Sequence, residues 1–242
     1  IPVYLFDIVP AADNGSVKNR NIIAETAVEK LLKANPAPLM HKKNARLITT
    51  GNIEGHLELL SEVDWVIEAV IEDLGIKKML YLKLEKVCRS DAVISSNTST
   101  LPLRQLVNGL SADFQSRFMI THFFNPPRYM RLLELVSSTA TQKTLIDSVR
   151  EFVDIKLGKN CVECKDTMGF IANRIGIYWV QYGLLEAFKQ GISVEEADAV
   201  LSAPFGIPKT GIFGLLDLVG LDLIPHILES MKQLPVDDAF HD

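Results

Sequence analysis

Asp64-Trp-Val-Ile-Glu-Ala-Val70 is a short apolar run of the kind that forms a buried strand. Downstream, residues 77–87 carry Leu80, Leu84 and Val87 on one side, the spacing of an amphipathic helix. Ala92-Val-Ile-Ser95 repeats the strand signal and breaks into the polar loop Ser96-Asn97-Thr98-Ser99. The same alternation extends in both directions. Toward the N-terminus, Val3–Asp7 is a short apolar strand ending in an acid. Residues 17–33 place Val17, Ile22, Ile23, Ala27, Leu31 and Leu32 at helical spacing and stop at Asn35-Pro36, and residues 46–49 form a strand candidate. Toward the C-terminus come strands at Phe118–Phe123 and Leu132–Val136, a helix over 145–156 and a last strand centred on Val162. Such alternation predicts an α/β domain, a doubly wound parallel sheet with helices on both faces, over residues 1–166.

Residues 167–242 read as helices only. The segment 170–189 is hydrophobic nearly all round, which predicts burial on several sides. Ser193-Val-Glu-Glu196 is a capping box opening a short helix to Leu201. Residues 211–234 are apolar and broken at Gly220 and Pro225. A smaller all-helical domain follows.

Composition narrows the function classes. The chain has 242 residues, 48% of them hydrophobic, and no apolar run approaches ~18 residues, which argues against membrane insertion. A net charge of −5 gives no support for nucleic acid binding. The opening Ile1-Pro-Val-Tyr-Leu-Phe-Asp7 lacks the basic region of a signal peptide. Three cysteines, an odd number, suit a reducing compartment. Cys161-Val-Glu-Cys164 has metal-like spacing, but in a strand its two thiols would point to opposite faces, so no metal site is expected.

The chemistry concentrates in Thr121-His-Phe-Phe-Asn-Pro-Pro-Arg-Tyr-Met-Arg-Leu-Leu-Glu-Leu-Val136. His122 stands at a strand end before a proline turn. Glu134 lies in an otherwise apolar strand, so its burial requires a partner. A His–carboxylate pair would meet that need and give an oriented general base. A structural His with an unrelated edge-strand acid is the alternative. Ser99, just past an apolar strand, reads either as a ligand contact or as a helix cap ahead of Leu101-Pro102. Asn173, early in an apolar helix, needs an amide partner.

His122-Phe-Phe-Asn-Pro-Pro with Glu134, Ser96-Asn97-Thr98-Ser99 upstream, and Lys165-Asp166-Thr-Met-Gly169-Phe170-Ile-Ala-Asn173-Arg174 downstream together resemble the L-3-hydroxyacyl-CoA dehydrogenase family over nearly the whole chain. The Pro-Pro-Arg-Tyr-Met variant is similar to bacterial fatty-acid oxidation members. The resemblance implies a Rossmann-type NAD-binding domain and a helical domain that forms a homodimer. It implies oxidation of the 3-hydroxyl of an acyl-CoA to the 3-oxo compound, with His122 as base, Glu134 as its partner, Ser99 on the substrate oxygen and Asn173 in the active site. Asp7 would take the ribose hydroxyls and favour NAD over NADP. Glu72, Lys77, Asn97, Ser99 and Asn125 would be further cofactor contacts. Lys30, within a basic run of Lys33, Lys42, Lys43 and Arg46, would meet the phosphates of coenzyme A, unless the run is a solvated helix face. A bacterial member would be cytoplasmic, a eukaryotic one mitochondrial or peroxisomal.

One expected feature is missing. A dinucleotide domain opens with strand, Gly-rich turn and helix, yet no G-x-G-x-x-G occurs here. The chain reads as beginning at the second strand, lacking one strand–turn–helix unit of roughly thirty residues. That predicts a sheet with a gap beside Val3–Asp7 or a foreign segment filling it. The family also continues past Asp242 with a further cofactor contact. Two rival functions stand beside the main one: a dehydrogenase of another 3-hydroxy acid, and a catalytically silent structural or binding member, as some relatives are in the eye lens.

Overall fold

A computed structural model describes residues 1–242 except 12–17, 207–208, 222–223, 233, 239 and 241–242. In chain order the elements are β1 (Val3–Asp7), α1 (Ile22–Lys33), β2 (Ile48–Asn52), β3 (Trp65–Glu68), α2 (Leu74–Val87), β4 (Val93–Ser96), α3 (Leu103–Leu106), α4 (Ala112–Ser116), β5 (Phe118–Phe123), β6 (Leu132–Val136), α5 (Lys143–Ile155) and β7 (Asn160–Cys164). The helical part follows as α6 (Ala172–Gln190), α7 (Val194–Val200), α8 (Phe213–Val219) and α9 (Ile224–Met231).

The α/β part is Rossmann-like, with one departure from the sequence reading and one feature that the reading expected. First, the sheet is mixed. β5 and β6 are antiparallel, with His122 opposite Glu134, while the other pairings are parallel. The connection from Phe123 to Leu132 is a proline turn, far too short for the crossover that parallel strands need. Second, the strands form two ladders, β1–β2 and β3-β4-β5-β6-β7. β1 has β2 as its one described strand neighbour, so the expected interruption beside Val3–Asp7 is present and no other described strand fills it.

Strand alternation sorts the core into two layers. Phe118, Ile120 and Val136 point toward α2, α3 and α4, where Tyr81, Leu84, Leu103, Leu106 and Phe114 close around them. Met119, Leu133 and Leu135 point the other way, against Val149 and Val153 of α5. Most of these side chains are fully buried, each worth about 1.5–3 kcal/mol of transfer free energy. Cys164 packs against the first layer and Cys161 against the second, the opposed placement that strand geometry dictates.

Boundaries shift for local reasons. β2 starts later than expected because Lys42–Leu47 forms a 3₁₀ turn, with the His41 ring accepting from the Lys43 amide. Of the expected 17–33 helix, Ile22–Lys33 is helical and Val17 lies outside the described residues. α7 carries its capping box: the Ser193 hydroxyl accepts from Glu196 N and the Glu196 carboxylate accepts from Ser193 N. Pro225 does not break a helix; it sits in the first turn of α9, where a missing N–H costs nothing. The break is at Gly220, with φ of 99°. The larger correction concerns α6. It buries Val180, Gly183 and Ala187 but leaves Ile175, Tyr178, Tyr182, Leu185 and Phe188 exposed, so one face of it is open in this chain. Among the described residues no helix is long and apolar enough to cross a membrane.

Candidate active site

The carboxyl end of β5 and the N-terminus of α6 converge on Glu134. The period of two puts His122 on the face of Phe118 and Ile120, and Glu134 on the face of Val136. The cross-strand pairing then brings His122 Nδ1 to 2.8 Å from Glu134 Oε2. Glu134 is fully buried and His122 is 6% exposed. The second oxygen, Oε1, accepts from Ile171 N at 3.0 Å and Ala172 N at 2.8 Å, the first amides of α6. Those amides have no partner within the helix, and the helix dipole favours a carboxylate there. Burial pushes the Glu134 carboxyl up, but the hydrogen bonds from His122, Ala172 and Ile171 outweigh it, and the net lies below the usual carboxylate range. With Nδ1–H donated to Glu134, His122 Nε2 is left as an acceptor, and no described residue hydrogen-bonds to it. Phe124 and Phe170 flank the ring, with centroids at 4.4 and 5.9 Å. Phe170 reaches that position with φ of 48°, unusual for a non-glycine residue.

Ser99 joins this group through α6. Asn173 Nδ2 donates to Ser99 O at 3.5 Å, one residue beyond the Ala172 amide that holds Glu134. The capping alternative for Ser99 does not describe its place. The amides of Leu103 and Arg104 at the start of α3 donate to the Asp166 carboxylate, and Leu101 N donates to Thr98 Oγ1. The Ser99 hydroxyl makes no hydrogen bond with a described residue, so it is available to a ligand. Asn97 Oδ1 accepts from Phe123 N at 2.9 Å, which ties the end of β4 to the end of β5.

Glu72 holds the Ser99 loop from below. Its Oε1 accepts from the Thr98 hydroxyl, from Ser99 N at 3.1 Å and from Thr100 Oγ1 at 3.1 Å. Burial raises its pKa, but the Thr98 bond and Lys77 pull harder and the net is a lowered value. Lys77 is not a surface lysine. It is 1% exposed, with Nζ 2.7 Å from Glu68 Oε1 and 3.2 Å from Glu72 Oε2. Glu68 is the residue that sequence reasoning missed. It also accepts from Tyr81 OH at 2.5 Å, Ser96 Oγ at 2.7 Å and Val70 N at 2.7 Å. The signal was available: Glu68 is an acid inside an apolar strand, as Glu134 is, and the same demand for a partner applies.

The remaining candidates lie apart from this cluster. Asp7 ends β1, exposed, with Oδ1 accepting from Ile8 N. Asn125 is exposed on the turn after β5, next to the cis bond to Pro126. Lys30 is exposed near the end of α1. Among the described residues no group of three or more His, Cys, Asp or Glu side chains could hold a metal ion.

This arrangement has counterparts. Residues 1–167 match the family model for the 3-hydroxyacyl-CoA dehydrogenase NAD binding domain, and residues 169–242 match that for the C-terminal domain. The chain is 44% identical over 240 residues to a Rickettsia felis protein named as a fatty acid oxidation complex trifunctional enzyme, covering 99% of this chain and 33% of that one. It is 41% identical over 238 residues to a Deinococcus radiodurans protein named "Probable 3-hydroxyacyl-CoA dehydrogenase", covering 98% of this chain and 68% of that one. Among solved structures, FadB2 of M. tuberculosis superposes with a TM-score of 0.82 at 27% identity, over 100% of this chain and 81% of that chain. The chain spans about a third of the length of the Rickettsia relative, and it belongs to the 3-hydroxyacyl-CoA dehydrogenase family, matching the models of both its NAD binding and C-terminal domains.

Proposed function

We propose that this chain supplies the catalytic machinery for oxidising the 3-hydroxyl of an L-3-hydroxyacyl-CoA to the 3-oxoacyl-CoA in fatty-acid oxidation. The carrying observation is the buried His122–Glu134 pair, with Glu134 locked by two backbone amides and His122 Nε2 left without a partner. The imidazole takes the proton of the substrate hydroxyl at Nε2. Glu134 holds the ring by Nδ1 and stabilises the imidazolium that forms. The Ser99 hydroxyl is placed to hydrogen-bond the reacting oxygen, and Asn173 fixes the Ser99 backbone. Phe124 and Phe170 keep water from the ring.

A bound NAD would supply the hydride acceptor for the substrate carbon. The residues present fit part of it. Asp7, Asn97, Ser99 and Asn125 lie at or just beyond the carboxyl ends of strands, where open α/β sheets take ligands. A free carboxylate oxygen on Asp7 suits ribose hydroxyls. Glu72 is exposed beside Ser99, whereas Lys77 supports Glu72 rather than reaching the cleft. A diphosphate is held by a Gly-rich turn at a helix N-terminus, and no G-x-G-x-x-G motif occurs in these 242 residues.

The exposed α6 stripe supports a homodimer through the helical domain. Ile175, Tyr178, Tyr182, Leu185 and Phe188 recur at helical spacing and are 40–76% exposed. The exposed lysines Lys30, Lys42 and Lys43 form a surface suited to coenzyme A phosphates. Bacterial relatives favour a cytoplasmic location.

The test is His122→Gln, in this chain with a strand–Gly-rich turn–helix unit fused ahead of Ile1. Turnover should fall about 10²- to 10⁴-fold while NAD affinity stays near that of the unsubstituted fusion. Turnover within a few-fold of the parent would remove His122 as the base.

A further inference from the structure

Lys159 is a buried cation that the reaction described above does not use. It is 7% exposed and lies between α5 and β7, just after Gly158. Its Nζ donates to Pro127 O at 2.6 Å and to Met130 O at 2.8 Å, and lies 5.6 Å from the centroid of the Phe123 ring. No described carboxylate pairs with it: both hydrogen-bond partners are carbonyls. Burial holds its ammonium below the usual lysine range. A buried charge is retained only where its bonds repay desolvation.

Those carbonyls belong to one helical turn. The amides of Tyr129 and Met130 both donate to Pro126 O, at 3.0 and 3.1 Å. A single turn leaves its C-terminal carbonyls without partners, and a cation there satisfies them. The grip continues in the backbone, where Asn160 N donates to Arg131 O at 2.7 Å. The turn starts four residues after His122 and carries Arg128, Tyr129 and Met130, all exposed. Arg128 lies 6.0 Å from the centroid of the Tyr129 ring, so the turn carries an exposed guanidinium over an aromatic ring.

We propose that Lys159 is a positioning residue for acyl-CoA binding: its ammonium caps the Pro126-to-Met130 turn and fixes Asn125, Arg128 and Tyr129 on the turn that follows the His122 strand. The proposal rests on the acyl-CoA reading of the site. Lys159→Met keeps the straight apolar stem against Phe123 and removes the charge. Lys159→Arg keeps donors for both carbonyls.

The experiment uses the 242-residue chain, with acetoacetyl-CoA as the probe in calorimetry and amide hydrogen exchange read at Tyr129 and Met130. A charge-assisted hydrogen bond predicts about a 10-fold or greater rise in exchange at those two amides in Lys159→Met, and a probe affinity about 10-fold weaker. Exchange at the buried β5–β6 amides should not move, and Lys159→Arg should recover most of both effects. Unchanged exchange at Tyr129 and Met130 would overturn the cap. A uniform rise across the domain, or a loss that Lys159→Arg fails to rescue, would overturn the positioning role. A parent chain that does not bind the probe would instead overturn the acyl-CoA reading, while the exchange arm still judges the cap.

Discussion

Glu134 uses each oxygen for a different purpose. Oε2 orients His122 and Oε1 anchors the first amides of α6, so one carboxylate ties the chemistry to the domain junction. Glu134→Gln keeps the shape and loses the charge, so it should slow turnover in the same fused chain used for His122→Gln. The variant should also be less stable, with a defined pH dependence. The folded carboxyl lies below its unfolded value, so its contribution is present above the usual carboxylate range and is lost as pH falls through the folded value. Urea titrations at a series of pH values should show a stability difference that is constant from about pH 6 upward and shrinks on acidification. A difference independent of pH would contradict this account. Cys164 reports on the same pair from behind. Burial and the neighbouring Glu134 charge push its thiol up to about 12. Alkylation of Cys164 in the folded chain at pH 8 should be on the order of 10³-fold slower than that of a free thiol. Fast labelling seen by peptide mass spectrometry would contradict the combined effect of burial and the Glu134 charge on this thiol.

At the scale of elements, strand positions were the most legible part of the sequence. Phe118–Phe123 and Leu132–Val136 are strands as read, because an apolar run bounded by polar turns leaves little choice. Their relative direction was misread, although the length of the Asn125-Pro-Pro connection already excluded a parallel crossover. Glu68 went unnoticed because its partners Lys77 and Tyr81 come from α2 and Ser96 from β4, and pairings of that kind become visible only once the strands are ordered. The α6 segment misled in another way. Hydrophobicity all round a helix signals burial, but not whether the cover comes from the same chain. Its open stripe predicts that Tyr182→Lys combined with Leu185→Lys converts a dimer to a monomer while leaving helix content unchanged. Sedimentation velocity checks this; an unsubstituted chain that is already monomeric at micromolar concentration would remove the dimer reading.

For the molecule as a whole, the interruption of the sheet decides what the chain can bind. The β1–β2 ladder places Asp7 at the end of β1, and the five-stranded ladder places Ser99, His122 and Glu134 around the ends of β4 and β5. On the proposed reading these two groups would hold the two ends of a dinucleotide, and the strand ends that carry them were legible in the sequence, because short apolar runs bounded by polar turns carry local signals. Between them no described ladder runs, and a diphosphate needs backbone amides at a helix N-terminus, presented by glycines that let it approach. No G-x-G-x-x-G offers them in these residues. Carboxylates at Asp7 and Glu72 suit hydroxyl groups but repel phosphate, and Lys77 is already spent on Glu68 and Glu72. Calorimetry of the 242-residue chain with NAD should therefore show affinity weaker than about 1 mM, whereas fusion of a strand–Gly-rich turn–helix unit ahead of Ile1 should bring it to the micromolar range. Asp7→Asn in the fused chain should then reduce the preference for NAD over NADP, since the carboxylate that repels a 2′-phosphate is gone. Low-micromolar NAD affinity in the unfused chain would show that another segment supplies the diphosphate contacts, and would overturn this account of the open sheet.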